Sequence, residues 1–477
     1  LTALVCPTRA WHQAHEDNLP PTPGQLLRME EGMEVGRRAR RLWPDGVHIR
    51  RSHSNSLDET KRLMADPSRK VIFEAAFLTD GFAARPDVLE RDGAEAWRLI
   101  EVKSSLHDDA KVKAELIDDI AYTAMVLLRC GIKITTAELL LMNRDYRLGQ
   151  PNESLFIRSN HTEAVLERAR EFNELWKTAR SAVLSEQCPK PKLILDCRSC
   201  DYFAERCLGR GVVHSILELP RLNEKKFSQL VAQNIMTISE IPQAFELTPP
   251  QLRFANTVRQ GGAVCNDAAL RNALEEFRWP AHYLDFETLN TALPRWPDVA
   301  PYEQVPTQYS IHLCRAPGEI TTHREYLADH RRDCQRELAE NLLRDLEGDG
   351  SIVCYSSFEK TRLTALTKKF PDLSSPLEAC ISRLFDLEVL FKDAYYHPDF
   401  CGRTSIKVTF PVLVKDMSYE GLAIADGESA IAAFALLTSG LCTPGEVERI
   451  RNDLLAYCKQ DTLAMVRLHE KLCEMPA

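Results

Sequence analysis

The feature that most constrains this chain is an apolar strand that ends in paired charge. Around residues 71–105, VIFEAAF is apolar and aromatic, RDGAEA carries the turn residues Asp92 and Gly93, and WRLIEVKSS returns as a second strand. Side chains alternate along a strand, so Glu101 and Lys103 leave on one face while Ile100 and Val102 point into the core. The hairpin carries Asp87 back toward Glu101. Two carboxylates and the Val102 carbonyl would supply half of an octahedral Mg²⁺ site, and Lys103 could orient water or offset charge on a phosphorane. A lone E-x-K is more often a solvated strand face.

The combination of ARPD, a turn and an apolar strand ending in E-V-K resembles the PD-(D/E)XK nuclease superfamily in its RecB-like branch. That branch includes CRISPR-adaptation exonucleases with an iron-sulfur cluster. The resemblance implies that Asp87, Glu101 and Lys103 are the acid, acid and lysine of a metal-dependent phosphodiesterase, on a restriction-endonuclease-like α/β fold. Upstream, QLLRMEEGMEVGRRARRLWPDG suits a helix with Leu26, Leu27, Met33, Ala39 and Leu42 as its apolar positions, ending before Pro44. Its Arg37, Arg38, Arg40 and Arg41 form a basic patch, either a solvated face or a contact for nucleic-acid phosphates. This helix loosely resembles the family's first motif, with Glu34 near the acid position. The family's Gln-x-x-x-Tyr motif is not intact in KVKAELIDDIAYTAMVLLRCGI. Thr123 and Met125 occupy that region, with Tyr122 nearby as the candidate nucleic-acid contact.

Cys197, Cys200 and Cys207 have the C-x2-C-x6-C spacing of ligands for a soft metal. The same resemblance implies that Cys6 completes a [4Fe-4S] cluster with them, clasping the ends of a domain over 1–210. Cys188 is a rival fourth ligand, and Zn²⁺ is the chemical alternative. Residues 211–279 are helical and polar, with short helices around a Pro-containing turn. They resemble a helix-hairpin-helix connector and are expected to form a linker.

At residue 281 the texture changes. AHYLDFETLN is an apolar strand with Asp285 and Glu287 on one face, where like charges repel unless a cation lies between them. IHLCRA and HREYLAD read as strands, RELAENLLRDLEG as a helix, and SIVCYSSFEKTRLTAL as a strand entering a helix near Phe358. LFDLEVLF brings Asp386, and in NDLLAYCKQDTLAMVRLHEKL Tyr457 and Asp461 are one helical turn apart. This order resembles the DnaQ-like, or DEDD, exonucleases on a ribonuclease H-like fold. The resemblance implies that Asp285, Glu287 and Asp461 hold divalent metals and that Tyr457 positions water. Glu359 falls where that family has an aspartate, one methylene shorter. Asp386 reads as a strand-end or cap residue.

The expected architecture is therefore α/β: a PD-(D/E)XK nuclease domain (1–210), a small helical region (211–279) and a DnaQ-like domain (280–477). The expected function is Mg²⁺- or Mn²⁺-dependent nuclease activity with two centres, DNA favoured over RNA, in repair, recombination or defence. The alternatives are a nucleic-acid-binding scaffold with degenerate sites, or an RNA-processing exonuclease. A net charge of -9 excludes a generally basic coat, so any nucleic-acid surface must be local. Fifteen cysteines, scattered apart from the spaced cluster, suggest a reducing, cytoplasmic setting, and no apolar run reaches membrane-spanning length. No phosphate-binding Gly-x4-Gly-Lys-Ser/Thr loop occurs, so processivity would need a helicase or another repair or defence partner.

Overall fold

The computed structural model describes residues 1–16, 20–50, 55–415 and 417–475. The chain is mixed α/β and divides into two compact units: Leu1–Pro191 with Asn290–Glu303, and Lys192–Leu289 with Gln304–Ala477.

The first unit is built on a six-stranded mixed sheet whose order follows the chain: β1 (Val47–His48), β2 (Val71–Phe73), β3 (Val88–Arg91), β4 (Ala96–Leu106), β5 (Lys133–Met142) and β6 (Phe156–Asn160). β2, β3 and β4 run antiparallel, whereas β4 and β5 are parallel. A parallel neighbour needs a crossover, which helix α2 (Ala114–Arg129) supplies. The β3–β4 hairpin turns where Asp92 and Gly93 stand in the sequence: Gly93 has φ +88°, and the Asp92 N–H donates to the Ala96 carbonyl at 2.8 Å. The stretch VIFEAAF is not one strand. It breaks at Glu74, whose φ of +56° ends β2, and a small hairpin of Phe77–Thr79 with Phe82–Ala84 follows. Asp80 and Gly81 close that hairpin with φ of +51° and +85°, the sign pattern of a type I′ turn.

Helix α1 (Pro23–Arg40) starts at a reciprocal capping box between Thr22 and Gln25. Its inner face is Glu31, Val35 and Ala39; of the apolar set expected from sequence Ala39 is buried and Leu42 packs beside it, whereas Leu26 is 45 % exposed and Met33 62 %. Glu31 can lie inside because both its carboxylate oxygens accept from the Ala292 N–H at 3.1 Å, with Arg295 at 3.9 Å. Burial still pushes its pKa up. β4 is covered on both faces. Trp97 and Leu99 pack with Ile120 and Ala124 of α2, and Ile100 and Val102 pack with Val35 and Ala39 of α1.

The second unit centres on a sheet ordered β9-β8-β7-β10-β11, with β7 Ala281–Leu289, β8 Val305–Cys314, β9 Ile320–Leu327, β10 Ile352–Cys354 and β11 Leu384–Asp386. β7, β8 and β9 form an antiparallel meander, and β10 and β11 run parallel to β7. Helix α3 (Phe358–Lys369) leaves β10, and α4 (Ile406–Leu413) and the long α5 (Pro444–Cys473) follow. Along α5 the buried residues Ile450, Leu454, Tyr457, Asp461, Met465 and Leu468 recur at three- and four-residue steps, one continuous face.

The stretch read as a linker has no core of its own. Ile216, Leu230, Ile238 and Phe254 share one apolar cluster with Tyr283, Val353, Phe391 and Phe410, and Cys197 belongs to it too. Its apolar side chains are buried in that shared cluster, so 192–279 belongs with the second sheet and is not a separate linker domain. Among the described residues, no helix is long and apolar enough to cross a membrane.

Candidate functional site

The first unit brings Asp87, Glu101 and Lys103 together. Asp87 immediately precedes β3, opposite the strand that carries Glu101, and its Oδ2 accepts from the Val102 N–H at 2.8 Å. Beyond Val102 the pairing of β4 with β5 slips before resuming at Leu106, a bulge that re-aims the side chains around Lys103. The Lys103 Nζ lies 3.3 Å from Glu101 Oε1 and 2.9 Å from Oδ2 of Asp119, on α2.

The electrostatics are those of three acids around one ammonium. Burial, then the neighbouring Asp87 carboxylate, push Glu101 up to about 8 despite the opposing pull of Lys103. Burial alone would lower Lys103, but Glu101, Asp119 and Asp87 outweigh it and raise the ammonium. Oε2 of Glu101 is buried with no hydrogen-bond partner among the described residues, so it could serve as a ligand to a cation. A cavity of about 560 Å³ meets this centre at Asp87 and Val102 and is lined also by Glu74, His48, Arg37, Arg40 and Met33, whereas Glu101 and Lys103 are not on its wall.

Sequence reasoning missed Asp119, His48 and Glu74. Asp119 left one signal, an Asp-Asp pair in the middle of an otherwise apolar helix. His48 and Glu74 left none, because only the tertiary fold brings them to Asp87. Glu34 bonds to Arg37 and to Arg38, the latter at 3.2 Å, so part of the basic patch is neutralised on its own helix. Arg37 and Arg40 still line the cavity, whereas Arg41 caps α1 at the surface. Tyr122 donates from its hydroxyl to the Ala83 carbonyl at 3.0 Å and sits edge-on to Phe82.

The second unit gathers Asp285 and Glu287 from β7 with Asp461 from α5. Their ligand atoms all lie within 4.8 Å of one another. The D-x-E alternation puts the first two on one face of the strand, and the buried stripe of α5 lays Asp461 against them. Burial first, and the neighbouring acids second, push Asp285 and Glu287 well above the usual carboxylate range. Glu359, on the first turn of α3, stands outside that close group but belongs to the same field. Burial and the Asp285 charge raise it, and its Oε2 is buried without a partner among the described residues.

Three further side chains complete this centre. The Lys407 Nζ donates to Asp461 Oδ1 at 2.9 Å and lies 3.4 Å from the centroid of the Tyr419 ring and 4.5 Å from that of Tyr457. The Tyr419 hydroxyl donates to the same oxygen at 2.5 Å. The Cys458 thiol donates to Asp285 Oδ2 at 3.5 Å. Burial and the surrounding acids hold Tyr457 and Tyr419 far above the ordinary phenol range, so both keep their protons. Lys407 and Tyr419 left no sequence signal, since neither stands at a regular spacing from the acids. Asp386 accepts at Oδ1 from the N–H groups of Ser356 and Glu388, the work of a strand-end cap.

The donor sets fit hard divalent cations: crowded carboxylates, buried unpartnered oxygens and raised proton affinities are what Mg²⁺ or Mn²⁺ would relieve. The cysteine triplet also lies on short local structure. Cys197 is on a 3-10 turn (Leu195–Ser199), Cys200 caps it, and Cys207 caps the helix Phe203–Arg206. These three belong to the second unit, while Cys6 and Cys188 belong to the first. Cys6 caps the helix Pro7–His15, its Sγ accepting from the Arg9 N–H at 3.4 Å, and Cys188 Sγ lies 3.9 Å from His12 Nε2. No curated protein matches the chain. A family model described as a domain of unknown function (DUF2779) matches residues 282–405, a span that holds Asp285, Glu287 and Glu359 and stops short of Lys407, Tyr457 and Asp461.

Proposed function

We propose that this chain is a divalent-metal-dependent nuclease with two separate centres, one at Asp87, Glu101 and Lys103 and one at Asp285, Glu287 and Asp461. The observation that carries this reading is the second centre. Three carboxylates whose ligand atoms lie within 4.8 Å of one another, two of them with strongly raised proton affinity, are a costly arrangement without a cation to hold. The order of the second sheet, an antiparallel meander followed by two parallel strands, supports a ribonuclease H-like fold of the DnaQ type. In the first unit, an antiparallel β2-β3-β4 run joined by a helix to a parallel β5 supports a PD-(D/E)XK core.

The cation would be held by Asp87 and Glu101 in one centre and by Asp285, Glu287 and Asp461 in the other, with Glu359 beside them. Bound Mg²⁺ or Mn²⁺ supplies Lewis acidity toward a phosphoryl oxygen and a more acidic water. The protein's own groups do the rest. Lys103 offers a fixed positive charge beside the reacting phosphate, with Asp119 holding its ammonium in place. In the second centre, Tyr457 is a protonated phenol able to orient water, and Lys407 is a cation within reach of a phosphate. Arg37 and Arg40 on the wall of the first cavity suit the sugar-phosphate backbone and carry no sequence preference.

We further propose DNA as the favoured substrate, digestion from an end, a cytoplasmic setting and a helicase or other repair or defence partner. Cys197, Cys200 and Cys207 are proposed as ligands of a [4Fe-4S] cluster, with zinc as the alternative metal. The second reading is a nucleic-acid-binding scaffold, and the engagement of Asp461 by both Lys407 and Tyr419 favours it. End-labelled single- and double-stranded DNA and RNA, incubated with Mg²⁺ or Mn²⁺, separate the two. Lys103→Ala and Asp285→Ala are each expected to remove a different cleavage activity. Wild-type protein that binds these substrates and cleaves none of them would establish the scaffold.

A further inference from the structure

Away from both centres, the second unit holds a mixed set of metal-ligating side chains that the nuclease reading does not use. The ligand atoms of His214, Glu218 and Cys401 lie within 4.8 Å of one another, all three partly buried. They come from distant parts of the chain: Glu218 ends a capped 3-10 turn, His214 immediately precedes the cap of that turn, and Cys401 follows the end of another.

We propose that His214, Glu218 and Cys401 form a zinc site that fastens the 397–405 turn to the 214–218 turn. The donor chemistry is one imidazole nitrogen, one carboxylate oxygen and one thiolate, a borderline-soft set that suits Zn²⁺ and is foreign to Mg²⁺. His214 Nδ1 already lies 3.2 Å from Glu218 Oε2, about the separation of two ligand atoms across a tetrahedral zinc. The other oxygen of Glu218 accepts from the Ser215 N–H at 3.1 Å, and the His214 ring packs edge-on against Phe254, so both ligands are oriented from behind. Cys401 is within 3.5 Å of the Asp399 carbonyl, a weak contact that a metal could replace.

Backbone conformation at two of these residues is unusual. His214 and Cys401 both hold left-handed φ, at +51° and +47°, a conformation that side-chain-bearing residues rarely adopt. Neither turn sequence offers glycine at that position. Gly402, at φ +74°, then brings the turn so close that a Cβ there would stand 1.7 Å from the Glu218 carbonyl oxygen. The chain is thus strained and pared down at the point where Cys401 meets Glu218. Directly after this turn begins α4, which carries Lys407 to Asp461, so the clip would fix the base of that helix.

Zinc protection of one thiol tests the site in the intact chain, whatever the other cysteines bind. Purified protein, stripped of metal and reduced, is treated with iodoacetamide with and without Zn²⁺, and alkylation of the Cys401 peptide is followed by mass spectrometry. Zn²⁺ is expected to slow modification of Cys401 by about tenfold or more, and His214→Ala and Glu218→Gln to abolish that protection. Mg²⁺ is expected to give none. Equal alkylation with and without Zn²⁺ in the wild type would overturn the proposal, as would full protection in both variants. The readout involves no nucleic acid, so its failure leaves the nuclease reading standing and the reverse is also true.

Discussion

The Lys407 ammonium lies 2.9 Å from Oδ1 of Asp461, in the place where a divalent cation would otherwise balance that carboxylate. A fixed lysine competes with a metal for the same charge. Lys407→Met is therefore expected to tighten Mn²⁺ binding by about tenfold while lowering the Asp285-dependent cleavage by about 10²-fold, because the phosphate loses its cation. Electron paramagnetic resonance of bound Mn²⁺ reads the first effect and a cleavage time course the second. Weaker Mn²⁺ binding in the variant would show that Lys407 supports the metal rather than standing in for it.

Glu101 sets a pH dependence in the first unit. Its folded pKa of about 8 exceeds the unfolded value of 4.5, so the folded form holds the proton more tightly. The stability this contributes is complete below about 4.5 and is lost as pH rises through about 8. Glu101→Gln removes the titration and is expected to flatten urea midpoints, measured in a chelator, across that window. A variant whose midpoint falls as steeply as that of the wild type would place the titrating group elsewhere.

Added metal should reverse the same trend. Since the cation binds the ionised acids, Mn²⁺ is expected to raise the melting temperature more at about pH 9 than at about pH 6. Differential scanning fluorimetry at both values, in wild type and in Asp285→Asn with Glu101→Gln, makes the comparison. An equal shift at both values would exclude proton-coupled binding.

Asp119 acts through Lys103. Asp119→Asn is expected to reduce the Lys103-dependent cleavage rate by about tenfold with little change in substrate affinity, and Asp119→Glu to restore part of it. A loss confined to affinity would instead make Asp119 part of the binding surface.

The cysteine set has a visible consequence. Protein carrying a cubane on Cys197, Cys200 and Cys207 is expected to be brown, to absorb near ~400 nm and to contain about four irons and four sulfides per chain. Colourless protein holding zinc on these thiols would assign the alternative metal.

How far the sequence could be read depended on distance along the chain. The alternation at Asp285 and Glu287 and the single helical turn from Tyr457 to Asp461 are local rules and were legible, whereas the meeting of Asp461 with the two strand acids was implied by the family resemblance alone. The turn at Asp92 and Gly93 was legible for the same reason. Asp119, Lys407 and Tyr419 were not, because each reaches its acid from another element and no periodicity marks it. Helix α1 misled in the opposite sense. Glu31 lies inside because Ala292, 261 residues away, supplies its donor, and the apolar Leu26 and Met33 are left outside.

That bond between Glu31 and Ala292 also bears on how this chain can be inherited. Residues 290–303 belong to the first unit although the chain on both sides of them belongs to the second. A gene cut back to the codons of the first 191 residues would encode a buried carboxylate stripped of its amide donor. The two halves are thus stitched together at the level of heredity. Fission or shuffling that separates them would have to replace a short loop encoded deep within the other half.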